Sequence, residues 1–113
     1  MIIEEIVRDY LSKKLILTPV RLELPNNPPD IIVVLEKTGS NEVNHIKSAT
    51  FAIQSYGKSM LDAMELNEQV KQAMKDIVEL DQIGACNLNS DYNFTDTTTK
   101  KYRYQAVFDI THY

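Results

Sequence analysis

The stretch KKYRYQAVFDITHY, residues 100–113, decides the fold. Read by alternation, Tyr102, Tyr104, Ala106, Phe108, Ile110 and His112 share one face. Lys101, Arg103, Gln105, Val107, Asp109 and Thr111 share the other. Side chains on a strand alternate between faces, so this pattern predicts a half-buried strand. Chain ends usually fray unless a sheet or a docked helix holds them. A long aromatic strand at residues 102–112 therefore predicts a sheet that needs it.

Working back along the chain, residues 45–56 (HIKSATFAIQSY) predict a second strand, with Ala49, Phe51 and Ile53 on one face and Ser48, Thr50, Ala52 and Gln54 on the other. Neither face is strongly polar, which suggests that something covers the outer one. Ile31–Leu35 is an unbroken apolar run, as expected of a strand covered on both sides. Val20–Leu24 predicts a short strand. The segment PNNPPD (25–30) carries three prolines, lacks ladder donors and reads as a stiff surface connection. Glu36–Asn44 (EKTGSNEVN) reads as a turn or exposed loop from its Gly, Ser and Asn content. A further strand is expected over Ala85–Asn89. The segment after it is either a long hairpin tip or two strand ends with an open turn near Asp96.

Two helices complete the reading. Ile2, Ile3, Ile6, Val7, Tyr10 and Leu11 form a stripe at helical spacing over residues 2–14. Acidic residues early and Lys13 and Lys14 late suit the helix dipole. A second helix is expected from about Met60 to Leu80, capped by Ser59, with Asp62 in a capping-box-like position. Its stripe is Met60, Ala63, Met64, Val70, Met74, Ile77 and Val78, broken at Asn67. The order is α-β-β-β-α-β-β. It predicts an α+β two-layer sandwich: one antiparallel or mixed sheet with two helices on one face, in a single domain over 1–113.

Composition bounds the function. The chain has 113 residues, 43% hydrophobic and 25% charged, with a net charge of -4. That is ordinary for a globular domain and lacks the basic footprint of a dedicated DNA binder. A protein that surrounds DNA without gripping it remains compatible. Cys86 is the lone cysteine, so no intramolecular disulfide can form, and a reducing compartment fits best. The start, MIIEEIVRDYL, is interrupted by Glu4, Glu5, Arg8 and Asp9, unlike a signal peptide. No run approaches the ~18 apolar residues of a membrane span.

Catalytic and ligand motifs are missing from the sequence. No GxGxxG or GxxxxGK[ST] signals a phosphate cradle, and no CxxC, HxxxH or HExxH spacing signals a metal. No catalytic, cofactor or metal residues are therefore assigned. Glu65, Glu68, Asp76, Glu79 and Asp81, interleaved with Lys71 and Lys75, read as a solvated helix face. Lys100, Lys101 and Arg103 with Tyr102 and Tyr104 combine charge and aromatic surface. That mixture suits single-stranded nucleic acid, but better suits a protein-protein hot spot in an acidic chain.

Two stretches, FAIQSYGKSMLDAMEL (51–66) and YNFTDTTTKKYRYQAVFDITHY (92–113), resemble the tail terminator, or tail-to-head joining (tail completion), proteins of long-tailed bacteriophages of Gram-positive hosts. The similarity runs in order over most of the chain and only in outline over the first 45 residues. It implies a structural subunit, not an enzyme, without cofactors. Such a subunit forms a hexameric ring when assembled, and a monomer in solution is compatible with that. The ring caps the tail tube protein, stops its polymerisation and docks to the head connector or stopper protein. DNA passes through the lumen without specific binding, and no membrane is involved. The expected location is the host cytoplasm during assembly and then the virion tail and neck. The arms expected to meet neighbours are Glu36–Asn44 and Asn89–Lys101. The candidate interface residues are Ser40, Asn41, Glu42, Asn44, Tyr92, Phe94, Tyr102, Arg103 and Tyr104.

Two other readings stand beside it. One is a small ligand-binding or regulatory domain with a sheet-helix crevice lined by Met60, Met64 and Phe51. The other is a thiol-dependent enzyme using Cys86.

Overall fold

The computed structural model describes residues 1–113. In chain order the elements are α1 (Ile3–Lys14), β1 (Val20–Arg21), β2 (Ile32–Val43), β3 (Ile46–Gly57), α2 (Met60–Lys75), a 3-10 turn (Ile77–Glu79), β4 (Ile83–Asn93) and β5 (Tyr102–His112). The strands form one sheet in the order β1-β2-β3-β5-β4. β1 runs parallel to β2, and every other neighbouring pair is antiparallel. The α+β class, the order of elements and the mixed sheet are as the sequence reading expected.

Both helices lie on one face. Ile3, Val7 and Leu11 of α1 and Leu66, Val70 and Met74 of α2 share a core with Val33, Leu35, Phe51, Ile53, Phe108 and Ile110 of the sheet. The strand residues are those that alternation assigns to one side. Ser59 caps α2, its hydroxyl accepting from the Asp62 amide at 3.1 Å. α1 starts without a side-chain cap and relies on Glu4 and Glu5 in its first turn and Lys13 and Lys14 in its last. The apolar run preceding Glu36 is covered on both sides. Val33 and Leu35 join the main core, while Ile32 and Val34 form a small second cluster with Tyr56 on the opposite face.

The structure corrects four boundaries. Glu36–Asn44 is not a loop: residues through Val43 continue β2 and pair with β3, Ser40 opposite Ala49 and Glu42 opposite Lys47. Only Asn44 and His45 turn, both with left-handed φ (52° and 66°), as a two-residue type I′ hairpin requires. Val20–Leu24 shrinks to two paired residues, because the prolines that follow cannot extend a ladder. α2 stops at Lys75. Its buried side includes Leu66 and Asn67, whereas Met64 and Val78 are exposed. β4 runs on to Asn93, so the connection to β5 is the open turn at Asp96 rather than a long tip.

Tyr10 joins the two helices. Its hydroxyl donates to the Ala73 carbonyl at 2.6 Å. Burial, then the nearby carboxylates of Glu79 and Asp76, push its phenol up to about 12 from an ordinary 10.0. Between these values the folded chain keeps a proton that the unfolded chain loses. Stability present below pH 10 is therefore lost as pH rises through 12. Cys86, pushed up to about 11 from 9.0, adds to the same alkaline loss. Tyr10→Phe is expected to cost about 1 kcal/mol at neutral pH and to flatten the alkaline fall. Urea unfolding at a series of pH values measures both.

Candidate functional site

The face of the sheet away from the helices carries a connected polar and aromatic cluster. The register places Tyr56 of β3 opposite Arg103 of β5, Gln54 opposite Gln105, and Gln105 opposite Tyr92 of β4. Alternation points these side chains to the same side. Gln105 donates to the Tyr92 hydroxyl at 2.5 Å and accepts from the Gln54 amide at 3.0 Å. The Tyr56 hydroxyl donates to Gln54 Oε1 at 3.2 Å and accepts from Arg103 Nη1 at 3.0 Å. Arg103 Nε donates to the Phe94 carbonyl at 2.6 Å. Its guanidinium lies 4.4 Å from the centre of the Phe94 ring and 5.8 Å from that of Tyr56. Phe94 and Tyr92 meet edge to face at 5.9 Å.

This is a continuous hydrogen-bonded chain across three strands, and such networks stiffen what they join. Stacking of the guanidinium on aromatic rings contributes about 0.5–2 kcal/mol by itself. Phe94 and Tyr92 remain 39% and 42% exposed. The result is a rigid Arg-Tyr-Phe surface, the side-chain mixture of protein-protein hot spots. Its groups are a cation, neutral amides and phenols, arranged to hold shape.

The expected interface residues fall into separate places. Tyr92, Phe94 and Arg103 come together in this cluster. Tyr102 instead lines a cleft of about 330 Å³ with Lys58, Lys100, Lys101 and the proline segment Asn27–Asp30. Tyr104 sits opposite Ser55 and Asn93, on the helix side of the sheet. Ser40, Asn41, Glu42 and Asn44 belong to the β2–β3 hairpin at the other end of the molecule. Gly57 pairs with Tyr102 while Lys47 pairs with His112, so the Asn44–His45 turn and the Asp96 turn point in opposite directions. The Asp96 turn is internally braced. The Asp96 carboxylate accepts from the amides of Thr98 and Thr99, bonds that favour its charged form and hold its pKa below the usual carboxylate range.

Sequence reading missed Gln54, Tyr56 and Gln105 as parts of the cluster. Alternation places each glutamine on the more polar face of its strand, and only register brings the two together. It also missed that Lys58 joins Lys100 and Lys101.

The other two readings find little support in the geometry. Phe51 has no exposed surface and Met64 is 42% exposed, so these residues do not share a crevice. Cys86 is half-buried, and burial pushes its thiol up, the opposite of an activated thiolate. No three His, Cys, Asp or Glu side chains are placed to hold a metal ion. No helix is long and apolar enough to cross a membrane. Compared with known proteins, the chain matches no family model and no curated sequence.

Proposed function

We propose that this chain is a structural subunit of a bacteriophage tail. It assembles as a hexameric ring at the head-proximal end of the tail tube, halts tube polymerisation and joins the tail to the head connector. One observation carries the reading on the structural side. Two hairpins extend from opposite ends of a single sheet, in a molecule 44 Å long and 26 × 24 Å across. A subunit that must hold a part above and a part below needs reach in both directions. The β2–β3 arm is polar and exposed along Gly39–Val43, while the β4–β5 end carries the Arg103 cluster. The net charge of -4 suits a ring whose lumen lets DNA slide. Assembly takes place in the host cytoplasm, and the subunit stays in the virion.

Electron microscopy of particles from a phage lacking this gene tests the proposal. Over-long tubes detached from filled heads are the expected result. Tubes of normal length left unattached restrict the role to joining. Normal infectious particles overturn the assembly reading and turn attention to ligands of the Lys58, Lys100 and Lys101 cleft.

A further inference from the structure

We infer that the two open edges of the sheet pair with each other between copies of this chain, β4 of one copy lying antiparallel along the outer half of β2 in the next. The inference rests on the ring reading above and supplies the contact that builds it. β4 ends the sheet on one side. On the other side β1 covers β2 only at Val33 and Val34, so Leu35–Val43 has a single neighbour, β3. Each edge leaves a row of backbone donors and acceptors without protein partners.

Proteins commonly protect such edges with lysine, proline, inward charges or bulges. β4 contains neither lysine nor proline. Its one charged residue, Asp91, is already held by Lys71 at 2.5 Å and Asn67 at 3.3 Å. Leu88 and Tyr92 stand exposed along it, and its two bulges, at Gly84 and Asn89, leave Ala85–Leu88 and Ser90–Asn93 in regular pairing. The outer half of β2 carries a bulge at Thr38 and charges at Glu36, Lys37 and Glu42, of which Lys37 is turned back to Glu4 of α1 at 3.2 Å. Beyond Val34 on β2, and along β4, no strand of the same chain covers the edge.

Topology selects the partner. Each step from β2 to β3, to β5 and to β4 is antiparallel, so β2 and β4 run in opposite directions. Repeating the subunit side by side places β4 against the next β2 in the antiparallel sense. Leu35–Val43 is comparable in length to the 11-residue β4. Pairing β4 with a second β4 leaves both β2 edges bare. Head-to-tail pairing fills both edges with one repeated contact, and such a contact generates a ring when its rotation closes.

Cross-linking tests this in a Cys86→Ser background. Asn41→Cys marks β2 and Asn87→Cys marks β4, both exposed residues on the helix-free face. Concentrated protein, and particles assembled with the same variants, are treated with a short bis-maleimide and separated under denaturing conditions. The double variant is expected to give a ladder of multimers. Each single variant should stay monomeric, and the two singles mixed should give dimers. A strong dimer from either single variant overturns the inference in favour of two-fold pairing. Lack of a ladder from the double variant, both in solution and in particles, also overturns it. If that happens while gene loss still gives over-long tubes, edge pairing has failed and the assembly role stands. A ladder with normal particles after gene loss keeps the pairing and removes the role.

Discussion

Gly57→Ala is expected to destabilise the fold by about 3 kcal/mol and to lower the melting temperature by roughly 10–20 °C. Gly57 ends β3 and lies directly against the first turn of α2. A Cβ built there would stand 2.5 Å from the Ala63 amide nitrogen and 2.8 Å from the Asp62 carbonyl carbon. The nearest obstacle is backbone, so no rotamer change relieves it. The strand end or the helix must move, and both are tied to the core through Ala63 and Tyr56. Its φ is not in the left-handed region, so the requirement comes from close approach and not from backbone conformation. Gly39 is the control. An added Cβ there meets no atom within 4 Å, and Gly39→Ala is expected to leave the melting temperature unchanged or slightly raised. Equal melting of the Gly57 variant and the parent would mean that strand and helix do not approach in this way.

Phe51→Ala should cost about 3–5 kcal/mol. Phe51 is fully buried on β3, the middle strand, with Phe108 directly opposite on β5 and both helices contributing to the same core. Truncation leaves a cavity that strands paired on both sides cannot collapse around. Against a typical stability of about 5–15 kcal/mol, that is a large share. Urea unfolding should show a much lower midpoint with a similar slope, since the surface exposed on unfolding is little changed. A loss below about 1 kcal/mol would show that the site is packed loosely enough to relax.

The sequence made some elements plain because one face of each is buried. α1 and β5 show periods of 3.6 and 2, since each turns one side to the core and the other to more polar surroundings. Ser59 marks the start of α2 through its hydrogen bond. The outer half of β2 gave no such signal. Lys37–Val43 is exposed on both faces, so hydrophobicity does not alternate, and backbone pairing with β3 alone keeps it extended. Its Gly39, Ser40 and Asn41 then look like turn residues. Asn67 looked like a break in the α2 stripe but is buried, with its amide donated to Asp91. That contact depends on β4 lying beneath the helix, which no local pattern reports. The Arg103 cluster was half legible. Its aromatic and basic residues stood out, but alternation sends Tyr102 and Tyr104 elsewhere, and only the strand order brings Gln54 to Gln105.

The position of β5 between β3 and β4 sets a timetable for synthesis. Gln54 and Gln105 bond across strands although 51 residues separate them. At typical elongation rates of about 5–20 residues per second, the ribosome needs roughly 3–10 s to make that interval. Until β5 follows, β3 has one bare edge and Phe51 lacks its partner Phe108. The hairpin of β2 and β3 and the helix α2 can form locally, but the sheet cannot be completed before residues 102–112 are released. Ser48, Thr50 and Gln54 keep one face of β3 polar while it waits for that final strand.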